Sequence, residues 1–150
     1  MKFSLDANPG LNVRAYAPGQ ITVAVPHGLR EDTGQADPAE ASANVHGLET
    51  VTTSLILTPS QMLTDWPPEH FEEVGPDHFD EVLALEPEVV IFGSGQRLRF
   101  PPAAVGARLN ARGIGIEVMD TAAACRTFNI LMGEGRQVVA ALLMIETEGG

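Results

Sequence analysis

The chain has little cysteine, few basic residues and no long apolar run. Its single cysteine excludes an intramolecular disulfide and a zinc site built from cysteines. Nine Lys and Arg stand against 20 Asp and Glu, a formal net charge of −11, so we expect no general attraction to nucleic acid or to an anionic membrane. No stretch approaches the ~20 apolar residues of a membrane-spanning helix, and Met1 to Asp6 lack the apolar core of a signal peptide. We therefore expect a cytoplasmic protein that does not insert into membranes.

The remaining composition is that of a globular domain. Hydrophobic residues make up 44% of the 150 residues, enough for a core without metal or disulfide support. We predict a single domain over residues 1–150. Within it, residues 27–47 are rich in Gly, Pro, Asp, Ala and Glu and offer almost nothing to bury, so this segment is predicted to be a mobile loop.

The first half of the chain has the pattern of β structure. Apolar and polar residues alternate over residues 11–16 and 21–25, and Pro18-Gly19 between them predicts a hairpin turn. Residues 50–57 are rich in β-branched side chains, which predicts a third strand.

The second half alternates between helical and strand patterns. Asp77 is predicted to cap a short helix that ends at Glu86-Pro87, and Asp120 or Thr121 to cap a longer one. We predict a three-layer α/β sandwich with N-terminal β-hairpins and a C-terminal β-α-β-α-β unit, its helices on one face of the sheet. The strands of that unit are predicted at 88–92, 114–118 and 137–145, and its helices at 101–113 and 121–132.

A glycine loop, Gly93-Ser94-Gly95, directly follows the most apolar of these strands, where α/β proteins often bind ligands. It is not a dinucleotide fingerprint, because position 98 is Leu98, and no Gly-Lys-Ser/Thr follows to make a phosphate-binding loop. A nucleophile elbow at Ser94 would need glycine at position 92, which is Phe92. Two interpretations stay open: a tight turn that uses the freedom of glycine, or a backbone cradle for an anion, aided by Arg97.

The second candidate region is the start of the predicted helix at 121–132. It belongs to a stretch, residues 97–136, with six arginines against three acids, which either pair with acids elsewhere or form a local anion site. Thr121 lies at the helix start, and Arg126 and Asn129 are three residues apart, away from the apolar stripe. Arg126 is suited to clamp a carboxylate or phosphate, or to tie the helix to backbone carbonyls.

Cysteine and histidine give no catalytic or metal-binding pattern. Cys125 lies among alanines, which favours a small buried packing residue. The acidic stretch 69–78 contains two histidines, but its spacing matches no zinc-binding helix, so a solvated loop is expected. We predict no metal and no cofactor. The four histidines of the chain are His27, His46, His70 and His78.

Several segments together resemble a known family. They are Val-Ile-Phe-Gly-Ser-Gly at 90–95, Met-Asp-Thr-Ala-Ala-Ala-Cys-Arg-Thr-Phe-Asn at 119–129, and Glu-Gly-Arg at 134–136. The pattern is similar to the largely uncharacterised family that includes mitochondrial NADH dehydrogenase (complex I) assembly factor 3 and small bacterial relatives. The chain departs from it in a longer loop at 27–47 and in Phe128, where relatives often carry tyrosine.

The resemblance implies a central mixed β-sheet whose last strand runs antiparallel to its neighbours. It also implies that no enzymatic activity is established for the family, and that its mitochondrial member acts through protein partners during assembly of a membrane complex.

Two functional hypotheses follow. The first is a non-enzymatic interaction or assembly-assisting protein, since no nucleophile–base set is recognisable. The second is a small-molecule or anion-binding domain, an unrecognised enzyme included, that uses the Gly93–Gly95 loop and the helix start at 121–129. Other proteins or an anionic small molecule are the expected partners, and the chain is expected to be a monomer or a dimer. The candidate binding residues for either hypothesis are Gly93, Ser94, Gly95, Arg97, Thr121, Arg126 and Asn129.

Overall fold

An antiparallel three-stranded sheet forms the N-terminal part of the computed structural model, which describes residues 10–26 and 46–147. Its strands are β1 (Asn12–Ala17), β2 (Gln20–Pro26) and β3 (His46–Val51), in the order β1-β2-β3. The predicted hairpin of β1 and β2 is confirmed. Of the predicted mobile loop, residues 27–45 lie outside the described residues, while residues 46 and 47 belong to β3.

The predicted third strand at 50–57 is wrong as a single element. β3 ends at Val51, and a new strand, β4 (Leu55–Leu57), begins in a different sheet. Thr52 and Thr53 are exposed in the connection between them. Their β-branched side chains favour strands locally, and this concealed the point at which the chain passes from one sheet to the other.

The second sheet has five strands in the order β5-β4-β8-β6-β7. The remaining strands are β5 (Met62–Leu63), β6 (Val89–Gly93), β7 (Ile116–Met119) and β8 (Val138–Leu142). The central mixed sheet is thereby confirmed. The implied direction of the last strand is only half right, because β8 is antiparallel to β4 but parallel to β6.

The described residues contain three α-helices: α1 (Asp80–Leu83), α2 (Ala103–Asn110) and α3 (Thr121–Gly133). Of the two predicted caps, Asp120 and Thr121, it is Asp120 that caps α3, because its Oδ1 accepts a hydrogen bond from the Ala123 N–H at 2.8 Å. The predicted cap at Asp77 is wrong. Asp77 lies inside a 3₁₀ turn, Pro76–Phe79, that precedes α1, and its carboxylate pairs with Arg108 at 2.9 Å.

The molecule has three layers, and helices cover both faces of the five-stranded sheet rather than one. Val90 and Phe92 of β6 pack with α1 and α2 on one face, while Ile91 packs with α3 and the three-stranded sheet on the other. The reason is topological. The crossover through α2 leads from β6 to β7, and the crossover through α3 leads back past β6 to β8. Two crossovers of the same hand in opposite directions must lie on opposite faces.

Candidate functional site

The carboxyl ends of β6, β7 and β8 meet at one edge of the sheet. The chain leaves β6 toward the α2 face and leaves β7 toward the α3 face, so the two loops diverge between neighbouring parallel strands. Such a switch point is where open α/β sheets bind ligands. The glycine loop and the start of α3 both lie here, as the sequence predicted.

Thr121 joins these ends from a fully buried position. Its Oγ1 accepts a hydrogen bond from the Gly95 N–H at 2.9 Å and donates to the Leu143 carbonyl at 2.7 Å. Its own N–H donates to the Gly95 carbonyl at 2.9 Å. A Cβ at Gly93 would approach the Thr121 hydroxyl to 2.9 Å, so the glycine permits this close packing. Thr121 therefore connects the loop after β6 to the segment after β8.

Ser94 is also fully buried, and its hydroxyl folds the loop. Its Oγ donates to the Arg97 carbonyl at 2.7 Å and accepts from the Arg99 N–H at 3.0 Å. The Ser94 N–H donates to the Met119 carbonyl at 2.9 Å. All of these partners are backbone groups, so the hydroxyl sets the path of residues 94–99.

An anion cradle exists at this loop, and the carboxylate of Glu146 fills it. The Gln96 N–H donates to Glu146 Oε1 at 2.6 Å, and Arg99 Nη2 donates to Glu146 Oε2 at 2.5 Å. Arg99 also bonds the Ser94 carbonyl at 2.7 Å. Burial raises the pKa of Glu146, but these hydrogen bonds outweigh it and leave that pKa below its usual value. The loop thus binds a carboxylate that the chain itself supplies.

Glycine is required at position 95 of the cradle. Gly95 has φ +103°, and a Cβ there would collide with the Glu146 carboxylate and with the Arg99 guanidinium. The guanidinium carbon of Arg99 lies 4.8 Å from the ring centroid of Phe71, which fixes it from the other side. Sequence reasoning missed Arg99 and Glu146, since no local spacing connects residues 47 positions apart. The arginine-rich stretch was their one available signal.

Arg97 lies outside the cradle, on the solvent side of the loop. It makes no ion pair with any residue that the structure describes. Its neighbour Leu98 is 51% exposed and Phe100 is 69% exposed. We call residues 97–100 the exposed turn. Arg99 points inward between its two apolar side chains.

Arg126 and Asn129 face the three-stranded sheet rather than the glycine loop. Arg126 Nη1 donates to the Tyr16 hydroxyl at 2.6 Å. Asn129 bonds both backbone groups of Val13, accepting from its N–H at 2.8 Å and donating to its carbonyl at 2.9 Å. Asn129 is eight residues beyond the start of α3, about 12 Å along the helix axis. The candidate residues therefore separate into a cluster at the sheet edge and a tie between α3 and β1.

Cys125 is buried, as predicted for a packing residue. Burial raises the pKa of its thiol to about 12, and the positive charge of Arg126 offsets this only in part. Among residues 10–26 and 46–147, no group of three His, Cys, Asp or Glu side chains comes together in a way that could hold a metal ion. None of the helices in these ranges has the length and apolar character needed to cross a membrane.

Comparison with known proteins relates this chain to a family of unknown function and to a complex I assembly factor. Residues 39–143 match a family described as a protein of unknown function (DUF498/DUF598). NADH dehydrogenase (ubiquinone) 1 alpha subcomplex assembly factor 3 of Bos taurus is 38% identical over 86 residues, which cover 55% of this chain and 46% of the bovine protein. The chain thus spans about half the length of the curated relatives that it matches.

Solved structures of similar chains have the same fold. A Xanthomonas campestris protein solved by NMR is 32% identical, with a TM-score of 0.68, and the match covers 93% of this chain and 89% of that one. A Bordetella pertussis protein described as an Mth938-like domain is 25% identical, with a TM-score of 0.66 and coverage of 99% and 96%.

Proposed function

We propose that this chain, which belongs to the DUF498/DUF598 family of proteins of unknown function, is an interaction protein that assists the assembly of a larger protein complex without chemistry of its own. We further propose that it acts as a single domain in the cytoplasm. The similarity to a protein named for its part in assembling NADH dehydrogenase supports an assembly role.

One observation carries the proposal: the loop after β6 directs four of its backbone N–H groups to acceptors within the chain, while two of its apolar side chains face solvent. The N–H groups of Ser94, Gly95, Gln96 and Arg99 all donate to groups within the chain. Leu98 and Phe100 are left in solvent. Covering both side chains would contribute on the order of 2–4 kcal/mol, given their exposed fractions and the usual value of burying such residues. An exposed aromatic on a fixed loop is typical of an anchor residue in protein interfaces.

The test is purification from the native host under gentle conditions, followed by native mass spectrometry. Wild type is compared with Leu98→Ser/Phe100→Ser and with the control Ile130→Ser, which changes a side chain that is 60% exposed on α3. We expect a discrete partner polypeptide with wild type and with the control, and its loss in the double variant. Equal recovery of that polypeptide with the double variant would refute the proposed surface.

A second candidate function, anion binding, is favoured by the carboxylate that the cradle already holds. A free anion would have to displace Glu146 from the Gln96 N–H and the Arg99 guanidinium. Glu146→Ala would then empty the cradle and create measurable binding of phosphate or acetate in isothermal titration, whereas Glu117→Ala, at an exposed acid on β7, would not. No heat from either variant at millimolar anion would remove this candidate.

A further inference from the structure

The charge of the exposed turn indicates what kind of partner covers it. Of its two arginines, Arg99 is matched by Glu146 within the chain, while Arg97 has no ion pair among the described residues. Among the residues that the structure describes, the turn therefore has one positive charge without an ion pair, beside two exposed apolar side chains, Leu98 and Phe100. The turn is thus locally positive, although the chain as a whole has a net charge of −11.

We infer, on the basis of the proposed function, that the partner contributes an acidic segment in which a carboxylate lies next to large apolar side chains. Apolar side chains that cover Leu98 and Phe100 exclude water from the neighbourhood of Arg97. In that environment a carboxylate on Arg97 gains more than it does in open solvent, and a facing lysine or arginine is repelled. A purely apolar partner segment would instead cover Arg97 without pairing its charge, and burying an unpaired charge lowers the affinity.

The shape of the turn is set before a partner arrives. The Ser94 hydroxyl holds the Arg97 carbonyl at 2.7 Å and the Arg99 N–H at 3.0 Å. Arg99 is held in turn by Glu146 at 2.5 Å and lies over Phe71. Binding therefore orders little of this chain, and the entropy cost falls on the partner segment.

Two other occupants fit the turn less well. A second copy of the chain carries the same net charge of −11, and a two-fold axis through the turn would place Arg97 against Arg97. An anionic membrane surface attracts Arg97 but repels the rest of this acidic molecule. An acidic segment of a different protein fits both the local charge and the apolar pair.

The experiment is a selection of random twelve-residue peptides displayed on yeast, first on wild type and separately on Arg97→Glu. The affinities of selected peptides are then measured by fluorescence anisotropy. Controls are Arg112→Glu, at an exposed arginine that also lacks an ion pair among the described residues, and Ile130→Ser. Thermal melting of each variant shows that it is folded, as we expect for substitutions at exposed positions.

We expect wild-type peptides to combine Asp or Glu with Leu, Ile, Phe or Trp. Their affinity should fall about tenfold or more with Arg97→Glu and with Leu98→Ser/Phe100→Ser, and stay within about twofold in the controls. Selection on Arg97→Glu should instead yield lysine- or arginine-containing peptides.

The other outcomes separate the inference from the proposed function. Peptides that need Leu98 and Phe100 but ignore Arg97→Glu would overturn the acidic segment and leave the docking surface standing. Peptides that bind the double variant as well as wild type would overturn the docking surface as well. Concentration-dependent dimerisation that the double variant abolishes, or binding to phosphatidylglycerol vesicles that it abolishes, would assign the turn to a second copy or to a membrane and contradict the inference.

Discussion

Thr121→Val is the substitution that tests most sharply how the sheet edge is held together. The two side chains have nearly the same shape, so the change removes the hydroxyl with little change in packing volume. The buried Gly95 N–H loses the acceptor that lies 2.9 Å away in the wild type, and the Leu143 carbonyl loses the donor that lies 2.7 Å away. Each buried group left unpaired costs about 1–3 kcal/mol, and removal of the hydroxyl's own burial cost offsets part of this. We expect the free energy of unfolding to fall by about 2–4 kcal/mol.

The assay is urea denaturation at neutral pH, with Thr127→Val as the control. Thr127 lies on the same helix and its hydroxyl makes no hydrogen bond with the described residues, so the same chemical change removes no contact there. At roughly 2–4 °C per kcal/mol, the Thr121 variant should also melt about 4–16 °C lower than wild type. A loss equal to that of Thr127→Val, within about 0.5 kcal/mol, would refute the role assigned to this hydroxyl.

Three other side chains give measurable expectations. Glu146→Gln should remove part of the acid sensitivity of the fold. The pKa of Glu146 is lower in the folded chain than its ordinary 4.5, so the carboxylate stabilises the fold above that pH, and this stabilisation is lost as the pH falls through the folded value. In urea titrations at decreasing pH, the difference in unfolding free energy between wild type and the variant should therefore shrink. Cys125 should react with a thiol reagent at about pH 8 only after denaturation, because burial raises the pKa of its thiol to about 12; a fast reaction of the native protein would contradict this. Asn129→Leu should lower the free energy of unfolding by about 1–3 kcal/mol, measured in urea, because both backbone groups of Val13 lose their partner; an unchanged midpoint would show that β1 does not depend on this tie.

Periodicity and local signals predicted most elements of the second half. Asp120, one of the two predicted caps, caps α3, and β6 lies within one residue of the predicted strand 88–92, because these signals act within a few residues of the chain. The prediction failed where the decisive contact is distant in sequence. The exposed Thr52 and Thr53 look like strand residues, and only the separate partners of β3 and β4 show that the chain changes sheets there.

The sequence singled out the glycine loop and the start of α3, but it did not predict which groups bind each other there. Gly93–Gly95 and Thr121 meet at the sheet edge, as expected from the order of strands and helices. The arginine that serves the cradle is Arg99 rather than Arg97, and the anion is Glu146. Local sequence does not show which of Arg97 and Arg99 binds the carboxylate. Arg99 does so because Glu146 and Phe71, both distant in sequence, pack against it in the folded chain.

The loop after β6 directs the N–H groups of Ser94, Gly95, Gln96 and Arg99 to acceptors within the chain and so holds the exposed turn in a fixed shape. Amide hydrogen exchange, measured residue by residue by NMR, tests this arrangement. We expect slow exchange for the N–H groups of Ser94, Gly95, Gln96 and Arg99, which have acceptors, and fast exchange for Arg97, Leu98 and Phe100, which have none among the described residues. Uniformly fast exchange from 94 to 100 would contradict it, because a loop without these hydrogen bonds would present Leu98 and Phe100 in no fixed arrangement.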